Sequence, residues 1–405
     1  MPNEKETTVP MALEGVRILD FTQMMLGPYG TQLLADLGAD VIKVERLDGE
    51  WERGLNLQGG LVGGERGGGG DSAAFLAMNR NKRSVAVDLR SPDVRDALLE
   101  LARTCDVVVE NFRPGVLAKR GLGYDDFRAV RPDIVYCSGS GWGQDTRYAR
   151  ENRPGQDLLI QAMSGLAANG GRAGDPPTPA GTAVVDAATA LTLANGILAA
   201  LVARERHGVG QRVEVDLFST AISLQCQEIS SMVNQGREFS RSEEGVGQAW
   251  LDAPFGIYRT ADGWLAVAMA PLDLVGPLFG APEVAELDAW TDRDEVKRLL
   301  EARSAAEPTR HWLDTLLPAG VWCARVRDTK EAVDELRADG SDLIVKARHS
   351  VAGEIELIGC PIRMSETPWR MRYAPPAVGE HTGEVLGELL PAERIERLRA
   401  DGVIR

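Results

Sequence analysis

The chain has 405 residues, 44% of them hydrophobic, which is enough apolar material for about two to three domains. Its net charge of −15 argues against nucleic acid or an anionic membrane as partner, and any anionic ligand needs a locally basic site. Five scattered cysteines (Cys105, Cys137, Cys226, Cys323, Cys360) without a CxxC pair read as reduced thiols of a cytoplasmic protein, and the polar start MPNEKETTVP has no apolar run of the kind a signal peptide carries.

The first half alternates β-branched runs with amphipathic ones. VRILDF (16–21) predicts a strand, GPYGTQLLADLGA (27–39) a helix, and DVIKVE (40–45) the next strand. SVAVDL (84–89), DVVVEN (106–111) and IVYCSGS (134–140) repeat the strand pattern. PDVRDALLELARTC (92–105) predicts a helix opened by Pro92, with Asp93 and Asp96 in its first turns. Such alternation implies an α/β fold with a Rossmann-like, doubly wound parallel sheet, which binds ligands beyond the carboxyl ends of its strands.

GGLVGGERGGGGD (59–71) reads as a flexible surface loop, and without a following GKS or GKT it is no phosphate-binding loop. The apolar stretch 183–203 carries Asp186, Thr189, Thr192 and Asn195, so a buried helix is expected rather than a membrane span. RVEVDL (212–217) predicts another strand. Beyond Gln235 the texture changes: FGIYRTADGWLAVAMA (255–270) predicts strand–turn–strand around Asp262-Gly263, and 292–317 is charged and helical. The expected organisation is a large domain at 11–225 and a small α/β domain at 238–327. A segment at 328–405 then returns to the large domain, with PPAVGEHTGEVLGELL (375–390) as a loop entering a helix.

No metal-binding motif is present; the four histidines are far apart and HExxH is absent. A serine elbow and a dinucleotide GxGxxG are also missing, and no prosthetic group is expected. Polar residues collect instead at strand ends: QMMLGPYG (23–30), MNRNKR (78–83), ENFRPG (110–115) and SGSGWG (138–143). Each alone is a turn with solvated charges. Together they describe a cleft with cations and free backbone N–H groups for an extended polyanion. Asp157, in RPGQDLLIQAMSGL (153–166), is either an N-cap aspartate or a reactive carboxylate at a helix start near that cleft.

These segments resemble the class III CoA-transferases, the CaiB/BaiF family, which includes formyl-CoA and carnitine CoA-transferases. The matching runs are GPYGTQLLADLGADVIKVE (27–45), NRNKRSVAVDL (79–89), DVVVENFRPGVL (106–117), GQDLLIQAMSGL (155–166), 183–217 and GEHTGEVL (379–386). The resemblance implies acyl-CoA and a carboxylic acid as substrates and Asp157 as the nucleophile. It implies CoA contacts at Met25, Leu26, Arg46, Met78, Asn79, Arg80, Asn81, Asn111, Phe112 and Lys119, with Arg83, Arg113, Ser140, Gly141 and Trp142 beside them. It further implies an interlocked homodimer whose two domains are joined by long linkers.

Two departures bear on specificity. Where formyl-CoA transferases carry a long glycine run, this chain has EEGVGQAWLDAP (243–254). The α-methylacyl-CoA racemases, also similar over the first half, place a histidine where Gln156 stands, although Asp186 matches their second aspartate. The expected reaction moves CoA from donor to acceptor through an aspartyl anhydride and an aspartyl-CoA thioester, with phosphates held by Arg46, Arg80, Lys82, Arg83, Arg113 and Lys119. A racemase-like isomerase and a non-catalytic CoA-binding protein are the alternatives.

Overall fold

The computed structural model describes residues 9–55, 60–62 and 70–405. Most of the glycine-rich segment 59–71 lies outside the described residues. The chain divides into two compact units, one of residues 1–157, 184–220 and 340–405, the other of 158–183 and 221–339.

In chain order the elements begin β1 (Arg17–Asp20), α1 (Leu26–Asp36), β2 (Asp40–Glu45), α2 (Ala73–Met78), β3 (Lys82–Ala86), α3 (Pro92–Ala102) and β4 (Val107–Glu110). They continue with α4 (Tyr124–Val130), β5 (Val135–Ser140), α5 (Arg147–Arg150), α6 (Asp157–Met163), α7 (Val184–His207), β6 (Arg212–Asp216), α8 (Leu217–Leu224) and α9 (Cys226–Gln235). After these come β7 (Gly256–Arg259), β8 (Trp264–Val267), α10 (Leu272–Leu278), α11 (Arg293–Ser304), α12 (Thr309–Leu316), β9 (Cys323–Arg325) and α13 (Thr329–Ala338). The chain ends with β10 (Ile344–His349), β11 (Gly353–Ile358), α14 (Thr382–Gly387) and α15 (Ala392–Ala400).

The first unit is built on a six-stranded parallel sheet in the order β3-β2-β1-β4-β5-β6. The inner strands β2 and β4 are short β-branched runs buried along almost their whole length, which is what a parallel sheet under two helical layers requires. On one face Leu19, Ile42, Val44 and Val85 pack with Leu98 and Leu101 of α3 and Phe127 of α4. The C-terminal segment closes this core with Val385, Leu386, Ile395, Leu398 and Ile404. α1 and α7 pack together and lie against the sheet, α1 against β2 and β4, α7 against β5 and β6. Gly30 permits that contact: a Cβ there would stand 2.9 Å from the Ala190 carbonyl oxygen. Among the described residues α7 is the one helix long and apolar enough to cross a membrane; it buries Val185, Thr189, Ala190, Leu193, Ile197 and Ala200 within the protein.

Helix starts follow local chemistry. Ser72 accepts the Phe75 N–H at 3.0 Å to open α2, and Ser91 precedes Pro92 and Asp93 at the start of α3. The β10–β11 hairpin, which has no strong signal in the sequence, buries Ala347, Ile355 and Leu357 on Phe75 and Leu76.

The second unit carries a three-stranded antiparallel sheet, β7-β8-β9. Its core gathers Tyr258, Leu265, Val275, Val296, Leu300 and Leu316 around Phe279 stacked on Trp312 at 4.6 Å.

Candidate functional site

The order of the parallel sheet reverses between β1 and β4, and a cleft opens there beyond the carboxyl ends of the strands, where such sheets hold ligands. It has a volume of about 380 Å³ and is lined by the segments after β1, β2, β3 and β4. Its cations are Arg46, Arg90 and Arg120. Arg46 pairs with Asp48 at 2.7 Å and Arg90 with Asp88 at 2.9 Å, both on the surface, where such pairs are weak and a phosphate can displace the carboxylate.

Phe112 borders this cleft and also a second, polar cavity of about 160 Å³ beyond β4 and β5. There the structure brings together Asn111, Phe112, Arg113, Ser140, Gly141 and Trp142, six of the residues expected at the site. Asn111 exchanges hydrogen bonds with the backbone of Gln23 at 2.9 and 2.8 Å. The neighbouring Met24 N–H is held at 2.7 Å by Glu50, and Glu50 is paired with buried Lys43 at 2.6 Å. These bonds fix Met24 at φ +65°, a strained value that persists where surrounding contacts over-determine it.

The loop after β5 meets the loop before α6 at two glycines. A Cβ on Gly141 or Gly155 would overlap the other's Cα, so neither tolerates a side chain. The Trp142 indole N–H donates to the Pro154 carbonyl at 3.2 Å and pins the same junction. Two residues later stands Asp157, 4% exposed, with Oδ2 accepting the N–H groups of Val185 at 2.8 Å and Asp186 at 2.9 Å. These are first-turn donors of α7, and Ala183 before them has no side-chain acceptor. Asp157 therefore acts as a cap supplied from elsewhere in the chain.

Asp186 differs from it. It lies in the first turn of α7, is half-buried, and no hydrogen bond reaches its carboxyl among the described residues. Burial, and then the charge of Asp157, pushes its pKa to about 7. Ala187, the next residue, lines a third cavity of about 450 Å³, mostly apolar, with Met25, Tyr29, Leu33 and Met78. Leu26, the first residue of α1, is buried; a Cβ on Gly139 would stand 2.7 Å from its side chain.

Several expected cation positions face protein carboxylates instead of ligand. Arg80 is 2% exposed; its Nε binds Asp36 at 3.0 Å and its Nη1 the Ile358 carbonyl at 2.6 Å. Lys82 is fully buried against Asp20 at 3.2 Å. Arg83 is paired with Asp40 at 2.6 Å and with Glu384 and Glu388, which hold its pKa above the ordinary range. Asn79 joins Phe75 to Lys82, and Asn81 binds Asp36 and the backbone of Arg370 and Tyr373. The MNRNKR segment thus ties the C-terminal segment to the sheet; of its members Met78 and Arg80 line the third cavity. Lys119 is exposed and is not among the residues lining the first cleft; Arg120 takes that place. Arg90 and Arg120 escape the sequence reading, although an arginine directly past SVAVDL and the second member of a Lys-Arg pair are visible in it.

Comparison with known proteins agrees with this geometry. The profile of CoA-transferase family III matches residues 13–382. The chain is similar to the succinyl-CoA:glutarate CoA-transferase of Mus musculus, at 34% identity over 97% of this chain and 90% of that protein. Among solved structures it is similar to an Asp-to-Ala mutant of Rv3272 from Mycobacterium tuberculosis, with TM-score 0.79 and 31% identity over 94% of this chain and 99% of that one. A CaiB/BaiF family protein from Brucella suis matches with TM-score 0.78 and 27% identity, over 94% of this chain and 100% of that one. A parallel sheet with a cation-bearing cleft at its switch point, and a match across nearly the whole chain, lead to one conclusion: the chain belongs to CoA-transferase family III and is a transferase acting on CoA thioesters.

Proposed function

We propose that the protein moves CoA from an acyl-CoA to a free carboxylic acid by way of a covalent intermediate on Asp186. The observation that carries this reading is the pair of neighbouring aspartates with divided roles. Asp157 is tied by two backbone N–H groups, whereas the Asp186 carboxyl has no hydrogen-bonding partner among the described residues, and the residue after it, Ala187, lines the apolar cavity. Asp157, expected from the sequence as the nucleophile, becomes the residue that positions Asp186.

The ionised Asp186 oxygen attacks the thioester carbonyl, the C–S bond breaks, and CoA leaves as thiolate. The thiolate attacks the aspartyl carbonyl of the mixed anhydride and releases the donor acid as carboxylate. The acceptor carboxylate then attacks the resulting aspartyl-CoA thioester and displaces the thiolate. A last attack by that thiolate on the acceptor carbonyl forms the new acyl-CoA and restores Asp186. Every intermediate keeps the acyl group activated, so exclusion of water is essential.

In this reading Arg46, Arg90 and Arg120 take the phosphates of CoA against the overall charge of −15. The pantetheine arm passes Phe112, Asn111, Ser140 and Gly141 towards the aspartates. The cavity lined by Met25, Tyr29, Leu33 and Met78 takes the acyl chain. The reading includes an interlocked homodimer with long linkers, as the family resemblance implies, and a cytoplasmic location, supported by five cysteines without a disulfide. The mouse relative's name suggests succinyl-CoA and glutarate as the first pair to try.

The test is a screen of acyl-CoA donors against carboxylic acids, read by mass spectrometry, followed by hydroxylamine trapping during turnover. A hydroxamate on the Asp186 peptide is the expected result. A hydroxamate on the Asp157 peptide transfers the nucleophile's role to Asp157, and labelling of neither ends the covalent route.

A further inference from the structure

The third cavity, of about 450 Å³, limits by its chemistry which acids the transferase takes, and it lies wholly in the first unit. Tyr29, Gln32 and Leu33 line it from α1, at the three- and four-residue spacing that puts side chains on one helix face. Ala77 and Met78 of α2 line it next, with Leu343, Ile358 and Pro361 around the β10–β11 hairpin. Ile358 is 53% exposed, an apolar side chain standing where the cavity meets solvent.

Two positions tie this cavity to the reaction. Ala187 lines it, so the Asp186 Cα is about 3.8 Å from the Cα of a lining residue. Met25 lines it as well, whereas Gln23, two residues earlier, lines the cleft that carries Arg46, Arg90 and Arg120. The loop after β1 therefore borders the cleft on one side and the cavity on the other.

Charge decides what fits. Arg80 is the one charged side chain among the described residues that line the cavity. Asp36 accepts its Nε–H at 3.0 Å and its Nη2–H at 2.5 Å, and the Ile358 carbonyl accepts from Nη1 at 2.6 Å. A buried bidentate pair of this kind is already neutralised and has little charge to offer a second carboxylate. Tyr29 and Gln32 are neutral, and Gln32 Oε1 is taken by the Arg80 backbone N–H at 3.0 Å. A carboxylate at the far end of an acyl chain would enter without a counter-ion, and burial of an unpaired charge is strongly disfavoured.

We propose that the cavity selects aliphatic monocarboxylic acids and rejects dicarboxylic acids of the same length. The acceptor acid rebuilds the same kind of anhydride that the donor formed, so both acids occupy this one cavity, and the pair exchanged is monocarboxylic on both sides. The inference rests on covalent transfer at Asp186 and names the substrate class of that site.

The experiment pairs each acyl-CoA with its own isotope-labelled acid, so that one acid serves as donor and acceptor, and follows label into the thioester by mass spectrometry. The series sets acetyl-, butyryl-, hexanoyl- and octanoyl-CoA against succinyl- and glutaryl-CoA, with full-length wild type, Ala77→Phe and Leu343→Lys. In wild type, kcat/KM should rise about fourfold for each methylene that the cavity buries, equivalent to about 0.8 kcal/mol. Hexanoyl-CoA should exceed glutaryl-CoA, of similar length, by at least about tenfold. Ala77→Phe fills the cavity from an exposed position and should cut the octanoyl-to-butyryl ratio about tenfold. Leu343→Lys brings an unpaired ammonium to the half-buried wall and should narrow the hexanoyl-to-glutaryl ratio about tenfold. Neither residue is fully buried, so both variants should melt within about 3 °C of wild type.

The proposal is overturned if wild type exchanges succinyl- or glutaryl-CoA as fast as hexanoyl-CoA, or if its chain-length profile is flat. Ratios unchanged in both folded variants overturn it as well, because the acyl chain then lies elsewhere. The two readings fail separately. Exchange with no acid at all defeats the transfer reading and this inference with it. Exchange confined to dicarboxylic acids, with a hydroxamate on the Asp186 peptide, defeats the role of the cavity alone.

Discussion

Replacing Asp186 by asparagine should abolish transfer and stabilise the protein, and the stabilisation should depend on pH. Burial, followed by the Asp157 charge, raises the Asp186 pKa from 3.8 to about 7 in the folded chain. A raised carboxyl binds its proton more tightly folded than unfolded, so it opposes folding wherever the unfolded chain has lost that proton. Below 3.8 both states are neutral and no cost arises. The cost grows as pH rises and is complete above about 7, where the folded state must hold the anion. A shift of this size makes the ionised form about 4 kcal/mol less favourable at most, and water reaching the half-buried side chain reduces that figure. Asparagine removes the charge with little change in shape. Its advantage should therefore be under about 1 kcal/mol at pH 4 and rise to a larger value, below about 4 kcal/mol, at pH 8. For a chain of 405 residues that is about 1 °C or less at pH 4 and at most about 5 °C at pH 8. Tryptophan fluorescence melts at fixed ionic strength, from pH 4 to 9, read this directly. An increment that does not change with pH, or a variant that still transfers CoA, refutes the assignment.

Other consequences follow from the same contacts. Asp157→Ala should cost about 1–3 kcal/mol, seen as a lower melting temperature, because two first-turn N–H groups of α7 lose their acceptor. Asp157→Asn should recover most of that stability and, by removing the neighbouring charge, move the acidic limb of the kcat profile below pH 7; an unmoved limb counts against the coupling. Arg53→Met should destabilise by about 3–5 kcal/mol, since Glu45 and Asp71 would be left as buried charges without their cation, and a melting temperature within a degree of wild type would sink this account. Arg90→Ala and Arg120→Ala should each raise KM for acyl-CoA about tenfold with kcat unchanged, and weaken the salt dependence of KM; a change confined to kcat would remove these residues from the phosphate site.

The sheet was legible because most of its strands carry valine and isoleucine in short runs between helical stretches. DVIKVE coincides with β2 over 40–45, and the other β-branched runs of the first half fall within a few residues of β1, β3, β4, β5 and β6. The β10–β11 hairpin escaped for the opposite reason. Lys346, Arg348, Glu354 and Glu356 alternate with its buried positions, so it reads as a polar tail until Phe75 and Leu76 supply its packing. The site was legible only where backbone shape defines it. Asn111 past β4 and the glycines past β5 do line the polar cavity, because a tight turn there needs such residues whatever lies around them. Cations gave no such signal. Arg80 and Lys82 look like phosphate ligands in MNRNKR, but Asp36 and Asp20 answer them from 44 and 62 positions away. The number and sign of such partners are properties of the fold, and no local pattern records them.

Asp157 shows why the local alternatives, cap or reactive group, were too narrow. It does cap a helix, but one that begins 27 residues later. The chain leaves the first unit after Asp157 and re-enters it at Val184, and the two hydrogen bonds to Val185 and Asp186 staple the exit to the return. That staple has a chemical consequence. It fixes the first turn of α7, holds the Asp186 carboxyl in a set place, and by its own charge makes Asp186 harder to ionise. A single carboxylate thus joins the topology of the chain to the proton balance of the residue proposed to carry the acyl group. If so, shortening the excursion at 158–183 without disturbing either end should leave the Asp186 titration unchanged, while loss of Asp157 alone should alter it. Carbon-detected NMR of labelled aspartate side chains would separate the two.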